Sequence, residues 1–317
     1  MTHRNLIFAS TLFVLLAGAS THLAWAQQYV FRSIDVPGAA QTIANDNNNS
    51  DVFPICYSVT SFVYNFGGQA GALLSHGVFK PLKYPGGTDT CPEGVSDNGR
   101  VAGSYADKSG NVHGFLLVGG KYTSFDYSGA VETVGFGVNN AGVIVGFYYD
   151  GTATHGFKLK GGVFTNIDPT GAACGYAEAI NDNGQIVGGY SLTDPKCNAG
   201  VQGYLLSGGS YTTIDYPGAT GTIVGGINNS ADVAGWYWDS SGVNHGFTDI
   251  KGTLATLDYP GAADTLAAEI NDSGQVDGTW YGSTPGDGHG FLATPIPAKD
   301  ASAGTNVPRG RGPMSRN

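Results

Sequence analysis

The stretch A-E-A-I-N-D-N-G-Q-I-V-G-G-Y-S over 177–191, continued by Q-G-Y-L-L over 202–206 and Y-T-T-I-D-Y-P-G-A over 211–219, decides the fold. Residues 177–181 read as a short strand. Asp182, Asn183 and Gly184 make a tight turn, because Asn and Gly tolerate positive φ. Residues 185–191 return as a β-branched strand. A loop with Asp194 and Pro195 leads to a third strand at 203–206. Gly208 and Gly209 turn the chain into a fourth, at 211–216. Tyr216-Pro217-Gly218-Ala219 then suits a type II turn, with Pro second and Gly third.

This unit recurs. Variants of its closing turn stand at 34–39, 82–87, 125–130, 167–172, 214–219 and 257–262. Fourteen residues after each Asp (Lys83 in the second copy) comes the tight turn, at Asn49, Asp97, Asn140, Asp182, Asn229 and Asp272. Helical periodicity is absent beyond the first 26 residues. Four short antiparallel strands every forty-odd residues are the signature of a β-propeller blade. The chain opens on an isolated fourth strand at 29–35 and closes on first, second and third strands, the last at 290–293. The expected fold is therefore all-β: a six-bladed β-propeller over 27–294, closed by the N-terminal strand completing the last blade. Such closure hides two sheet edges.

Outside that body, residues 1–26 read as an export signal. A short polar start with His3 and Arg4 precedes an apolar run too short for a membrane span, then Ala24-Trp25-Ala26 as the cleavage site. No second apolar stretch follows, so no membrane span is expected in the mature chain. Pro295 and Pro297 are expected to break the last strand, and 295–317 reads as a basic, Pro/Gly-rich disordered tail. The formal charge is −10, and the body is more acidic still, because Lys299, Arg309, Arg311 and Arg316 lie in the tail. An acidic body argues against nucleic acid and anionic membranes as partners.

His-Gly-Phe opens the third strand at 113–115, 155–157, 245–247 and 289–291. With I-N-D-N-G-Q-I-V-G at 180–188 and the D-Y-P-G-A turn, this resembles the predicted extracellular repeats called the HAF family. The resemblance covers most of 29–293. It implies export and tandem β structure, and no catalytic residues. The first unit departs most: N-N-S-D-V-F-P at 48–54 lacks one residue and the Gly.

An exported chain with four cysteines suggests disulfides. Blade positions pair Cys174 with Cys197 and Cys56 with Cys91. No C-x-x-C is present, which leaves no zinc or thioredoxin-type site. The recurring histidines sit on third strands of different blades and cannot converge on one metal ion. A structural hydrogen bond is the better reading for them. Each turn aspartate (Asp35, Asp126, Asp168, Asp215, Asp258) is expected to cap its own Pro-Gly turn. The second-strand glycines, such as Gly146 and Gly188, are expected to leave room for the neighbouring blade. No cofactor motif appears.

Two sets of residues stand out as candidate sites. Glu93, Glu178 and Glu269 precede the tight turn by three or four residues in alternate units, so they are expected around the central channel in a rough threefold arrangement. Paired carboxylates serve glycoside chemistry, though solvated channel walls explain them equally. The loops after second strands carry Tyr149 and Asp150, Trp238 and Asp239, and Trp280 and Tyr281. Aromatics beside acids at a rim suit stacking on sugar rings. The expectation is a secreted or periplasmic binding or structural module, with a surface polysaccharide or exported protein as partner. The alternative is a polysaccharide lyase or glycoside hydrolase using the channel carboxylates.

Overall fold

In the computed structural model, residues 27–60, 68–284 and 286–297 are described. The export signal expected at 1–26 lies outside them, as does most of the expected tail, 298–317. Among the described residues there are 24 β-strands and no helix, so none is long and apolar enough to cross a membrane. The protein is all-β.

The strands fall into six units of four. Unit four pairs Cys174–Ile180 with Ile186–Ser191, then Val201–Ser207, then Ser210–Ile214, all antiparallel. Units one, two, three and five follow the same order. Units two and three are joined into one eight-stranded sheet by a parallel bridge between Glu132 and Val112. Unit six consists of Asp264–Ile270, Val276–Tyr281 and Gly288–Pro295. Its fourth strand is the N-terminal Tyr29–Ile34, antiparallel to the last, with Tyr29 opposite Pro295 and Ile34 opposite Gly290. The last strand thus runs through Pro295 rather than breaking before it. A ladder uses alternate amides toward one neighbour, and here Ile296 N–H donates to the Gln28 carbonyl, so the missing proline N–H costs nothing.

First strands of successive units pack on one another from unit two to unit six, and the first strand of unit one packs on the second and third strands of unit six. The tight turns form a second ring. Asn49 donates its backbone N–H and side-chain amide to Asp97, 2.8 Å each. Asn98 reaches Asn140, Asn140 reaches Asp182, Asp182 reaches Asn229 and Asn229 reaches Asp272. Asp272 N–H returns to Asn49 Oδ1 at 2.9 Å. The alternation of Asn and Asp at these turns is therefore an inter-unit contact. The positive-φ preference of the turn sits on the residues after them, including Gly184 at +76°.

The Phe of each His-Gly-Phe is fully enclosed: Phe115, Phe157, Phe247 and Phe291 are all 0% exposed. Burying each contributes about 1.5–3 kcal/mol. A stacked ladder ties neighbouring units together at their edges. Tyr127, from the closing turn of unit two, lies 3.7 Å from Tyr148 of unit three, which stacks in turn on His155. The same sandwich is built by Tyr84, Tyr105 and His113, by Tyr216, Tyr237 and His245, and by Tyr259, Trp280 and His289.

Two expectations about recurring residues are corrected. The turn aspartates do not cap their own turns. Asp168 accepts from His155 Nδ1 at 2.8 Å and from the Gly156 N–H at 2.7 Å, so it holds the preceding strand. Asp126, Asp258 and Asp35 likewise hold His113, His245 and His289 at 2.8 Å. The turn is capped instead by a Thr: the N–H of Val36, Tyr84, Tyr127, Tyr216 and Tyr259 donates to Thr42, Thr90, Thr133, Thr222 and Thr265. The second-strand glycines make room for their own unit. A Cβ on Gly146 would stand 2.0 Å from the Val134 carbonyl oxygen, and one on Gly188 2.1 Å from that of Tyr176. Both carbonyls belong to the facing first strand.

Cys56 is bonded to Cys91, joining units one and two, and Cys174 to Cys197 within unit four. These are the two bridges expected from the repeat. Cys56, Cys91 and Cys174 lie within strands, and only Cys197 is in a loop.

Candidate functional site

The close approach at Gly146 and Gly188 has a cause that also builds the site. Each first strand of units two to six carries a β-bulge facing that glycine, between Pro92 and Gly94, Gly135 and Val138, Ala177 and Ala179, Val224 and Gly226, and Ala267 and Glu269. A bulge adds an unpaired residue and re-aims its side chain. Counting four back from each tight-turn residue gives Asn45, Glu93, Phe136, Glu178, Gly225 and Ala268. All six line one central cavity of about 360 Å³, bounded by every unit.

Around that circle the six positions are unequal. Glu93, Phe136 and Glu178 form an arc over units two to four. Asn45, Gly225 and Ala268 are small and leave space opposite. Phe147 and Trp236, on second strands, add aromatic wall, and Phe136 and Phe147 sit 5.4 Å apart. Gln69, Thr279 and Tyr281 line it as well, and among the described residues no Lys, Arg or His does. Past Asp46 and Glu269 the cavity gives onto a second space of about 70 Å³ walled by the tight turns.

The carboxyls of this region differ in their partners. Glu269 Oε1 accepts from the N–H of Ile227 at 2.8 Å and of Ile270 at 2.9 Å. Asp46 accepts from Val95 N–H at 2.6 Å. These two are anchored to the backbone. Glu93 and Glu178 have no hydrogen-bond partner among the described residues. They are half-buried by surface, because the cavity is hollow, yet protein surrounds them, and that enclosure governs their ionisation. Burial pushes both up to about 8, with the charge of Glu178 adding to the effect on Glu93. Burial also lifts Asp46 to about 7 and holds Glu269 and Asp277 well above the usual carboxylate range. Asp277 is 0% exposed, and among the described residues neither carboxyl oxygen has a hydrogen-bond partner of good geometry.

All three glutamates expected around the channel line the cavity, but they are not equivalent. Glu93 and Glu178 occupy bulge positions, whereas Glu269 stands one residue later and is tied to the neighbouring unit. Among the rim candidates, Tyr149, Trp238, Trp280 and Tyr281 end second strands rather than lying in loops. Asp150 and Asp239 are occupied. Asp150 Oδ1 accepts from the N–H groups of Thr152 and Ala153, and Oδ2 lies 3.4 Å from His155. Asp239 accepts from Ser241 and Val243 and lies 3.6 Å from His245. Those contacts hold the Asp150 and Asp239 carboxyls below the usual range. Trp280 is stacked between Tyr259 and His289, 4.5 and 4.4 Å away, and does not face the rim. Trp238 lies across Gly221, whose added Cβ would meet its ring at 2.7 Å. Tyr281 alone of the six turns into the cavity.

Phe136 and Trp236 were not legible as site residues. The one signal was position: the fourth residue before each tight turn.

Among the described residues, one trio of potential metal ligands brings its atoms within 4.8 Å: Cys56, Cys91 and Glu93. Both sulfurs are held in a disulfide, so that trio is no metal centre.

No family model matches the chain, and no curated protein sequence does. Among solved structures, it is similar to a variant of AofleA from Arthrobotrys oligospora, at 12% identity and a TM-score of 0.47, covering 81% of this chain and 84% of that one. It is also similar to the Aleuria aurantia lectin, described as a six-bladed β-propeller with a fucose recognition mode, at 13% identity and a TM-score of 0.45, covering 84% and 99%. The β-propeller domain of the Trilobed protease from Pyrococcus furiosus matches at 10% identity and a TM-score of 0.47, covering 86% and 84%.

Proposed function

We propose that this chain is a six-bladed β-propeller of HAF repeats, closed by its N-terminal strand. In this reading it is exported by residues 1–26 and binds a surface polysaccharide in its central cavity. The six four-stranded units and the returning ring of Asn and Asp turns support the architecture. Two disulfides suit an oxidising compartment. The observation that carries the binding reading is the cavity itself. Its bulge positions place aromatic and carboxyl side chains on one arc and small residues opposite, which is the shape of a recognition site.

Turnover fits less well. Glycoside hydrolysis needs a protonated acid facing an ionised carboxylate. Here burial pushes Glu93 and Glu178 up alike, to about 8, so their surroundings do not set one apart as the acid and the other as the base. The test is incubation of the secreted protein with a panel of polysaccharides, following retention and new reducing or unsaturated ends together. Retention without products is expected. Products would replace this reading with a lyase or hydrolase, and neither signal would replace it with an exported protein partner.

A further inference from the structure

The cavity carries an imbalance that a purely structural role leaves unexplained. Five carboxyl groups, Asp46, Glu93, Glu178, Glu269 and Asp277, lie in or against it, and among the described residues no cationic side chain lines it. Asp277 shares a strand face with Thr279 and Tyr281, which line the cavity, and stands opposite Glu269 across the sheet. It is fully enclosed, and among the described residues neither oxygen has a hydrogen-bond partner of good geometry, only the nearby backbone amides of Glu269 and Asp277 itself. Buried acids without partners are costly, and folded proteins rarely keep them without a use.

A metal ion is a poor answer. It needs converging oxygens at short range, and no carboxyl trio among the described residues comes within 4.8 Å. The acids are spread around the wall instead. Glu93 and Glu178 flank Phe136 at equivalent positions of three consecutive units, with Phe147 and Trp236 beside it. Dispersed carboxyl groups, able to ionise against a cation and interleaved with aromatic faces, suit a bulky cation whose charge is diffuse and whose surface is largely apolar. Ring quadrupoles attract such a cation most strongly where water is excluded.

We propose that the ligand of this cavity carries an organic ammonium group, seated against Phe136 and Trp236 between Glu93 and Glu178. The inference rests on the reading of the cavity as the binding site. Within that reading it selects cationic saccharides, such as those bearing free amino groups, over neutral ones. Cation binding favours ionised Glu93 and Glu178, so affinity for a permanently charged ammonium ion rises as pH rises through about 8. Asp46, Glu269, Asp277 and Tyr176 are the other groups around them whose ionisation burial suppresses, and ionising any of the three acids as pH rises adds negative charge and so acts with that sign; Tyr281 also faces the cavity.

The test is calorimetric titration of the secreted protein with choline and with its neutral isostere, 3,3-dimethylbutan-1-ol. The expected result is one-to-one choline binding that tightens from pH 6 to 9, with the isostere binding at least about tenfold more weakly. Glu93→Gln and Glu178→Gln should each weaken choline by about tenfold. Neither glutamate has a hydrogen-bond partner among the described residues, and an unchanged melting temperature at pH 5 will show that the variants fold. Equal binding of choline and the isostere would overturn the inference, as would no choline binding at millimolar concentration. Choline binding without retention on any polysaccharide would uphold it and sink the polysaccharide reading alone. Retention of neutral glycans without choline binding would do the reverse.

Discussion

At the scale of single residues, the unusual feature is how many acids the body encloses. A carboxyl whose folded-state pKa lies above its unfolded value binds more protons folded than unfolded in the interval between them. The stability it brings in protonated form is complete below the unfolded value and is lost as pH rises through the folded one. For Glu93 and Glu178 that window runs from 4.5 to about 8. The melting temperature is therefore expected to fall between pH 5 and 8.5. The double variant Glu93→Gln/Glu178→Gln should match the parent at pH 5 and fall less steeply, because Asp46, Glu269 and Asp277 still titrate. Parallel curves would show that the two glutamates are not held protonated. The distinct bonding of Glu269 also belongs here. Sequence spacing put it in the same class as Glu178. One residue of offset across a bulge instead sends its carboxyl to the Ile227 and Ile270 amides.

At the scale of elements, strand and turn positions were readable because their signals are local. Residues 177–191 alternate and turn on Asn and Gly, and the chain folds there as a hairpin. The two disulfides followed from equivalent repeat positions. What sequence did not carry was cross-strand geometry. A bulge is a property of two strands in register, so nothing in G-F-G at 135–137 announces that Phe136 leaves the ladder and enters a cavity. The enclosure of Trp280 was hidden for the same reason, since one stacking partner, Tyr259, comes from the closing turn of the preceding unit and the other, His289, faces it across the sheet. The second-strand glycines offer a direct check on the bulges. Gly146→Ala puts a methyl 2.0 Å from the Val134 carbonyl oxygen, and backbone cannot swing aside as a side chain can. It should cost roughly 2–4 kcal/mol, as overpacking against rigid surroundings does, measured by urea unfolding. Gly162→Ala, with open space around the added methyl, controls for residue type, though its positive φ of 84° carries a smaller strain. Equal losses at the two sites would refute the bulge explanation.

At the scale of the whole molecule, the account depends on the N-terminal strand returning to the last unit. Phe31 packs against Tyr259 at 5.5 Å and Phe291 at 5.8 Å. A chain starting after Asp35 would leave the strand Gly288–Pro295 as an open edge and uncover fully buried Phe291. It is expected to unfold at a markedly lower temperature and to self-associate through that edge, as read by thermal melts and light scattering. A monomer of parental stability would contradict closure. The tight-turn ring and the cavity lie on the same axis of contacts, so closure also fixes the spacing between Glu93, Phe136 and Glu178. The central claim is that ligands enter this cavity rather than stack on the rim. It is tested most directly by comparing Phe136→Ala, a cavity residue, with Trp238→Ala, a rim residue, for retention on whichever polysaccharide the parent binds best. The account predicts about a tenfold or greater loss for Phe136→Ala, in line with removal of one aromatic anchor, and little change for Trp238→Ala. Retention that survives in Phe136→Ala and is lost in Trp238→Ala would contradict it.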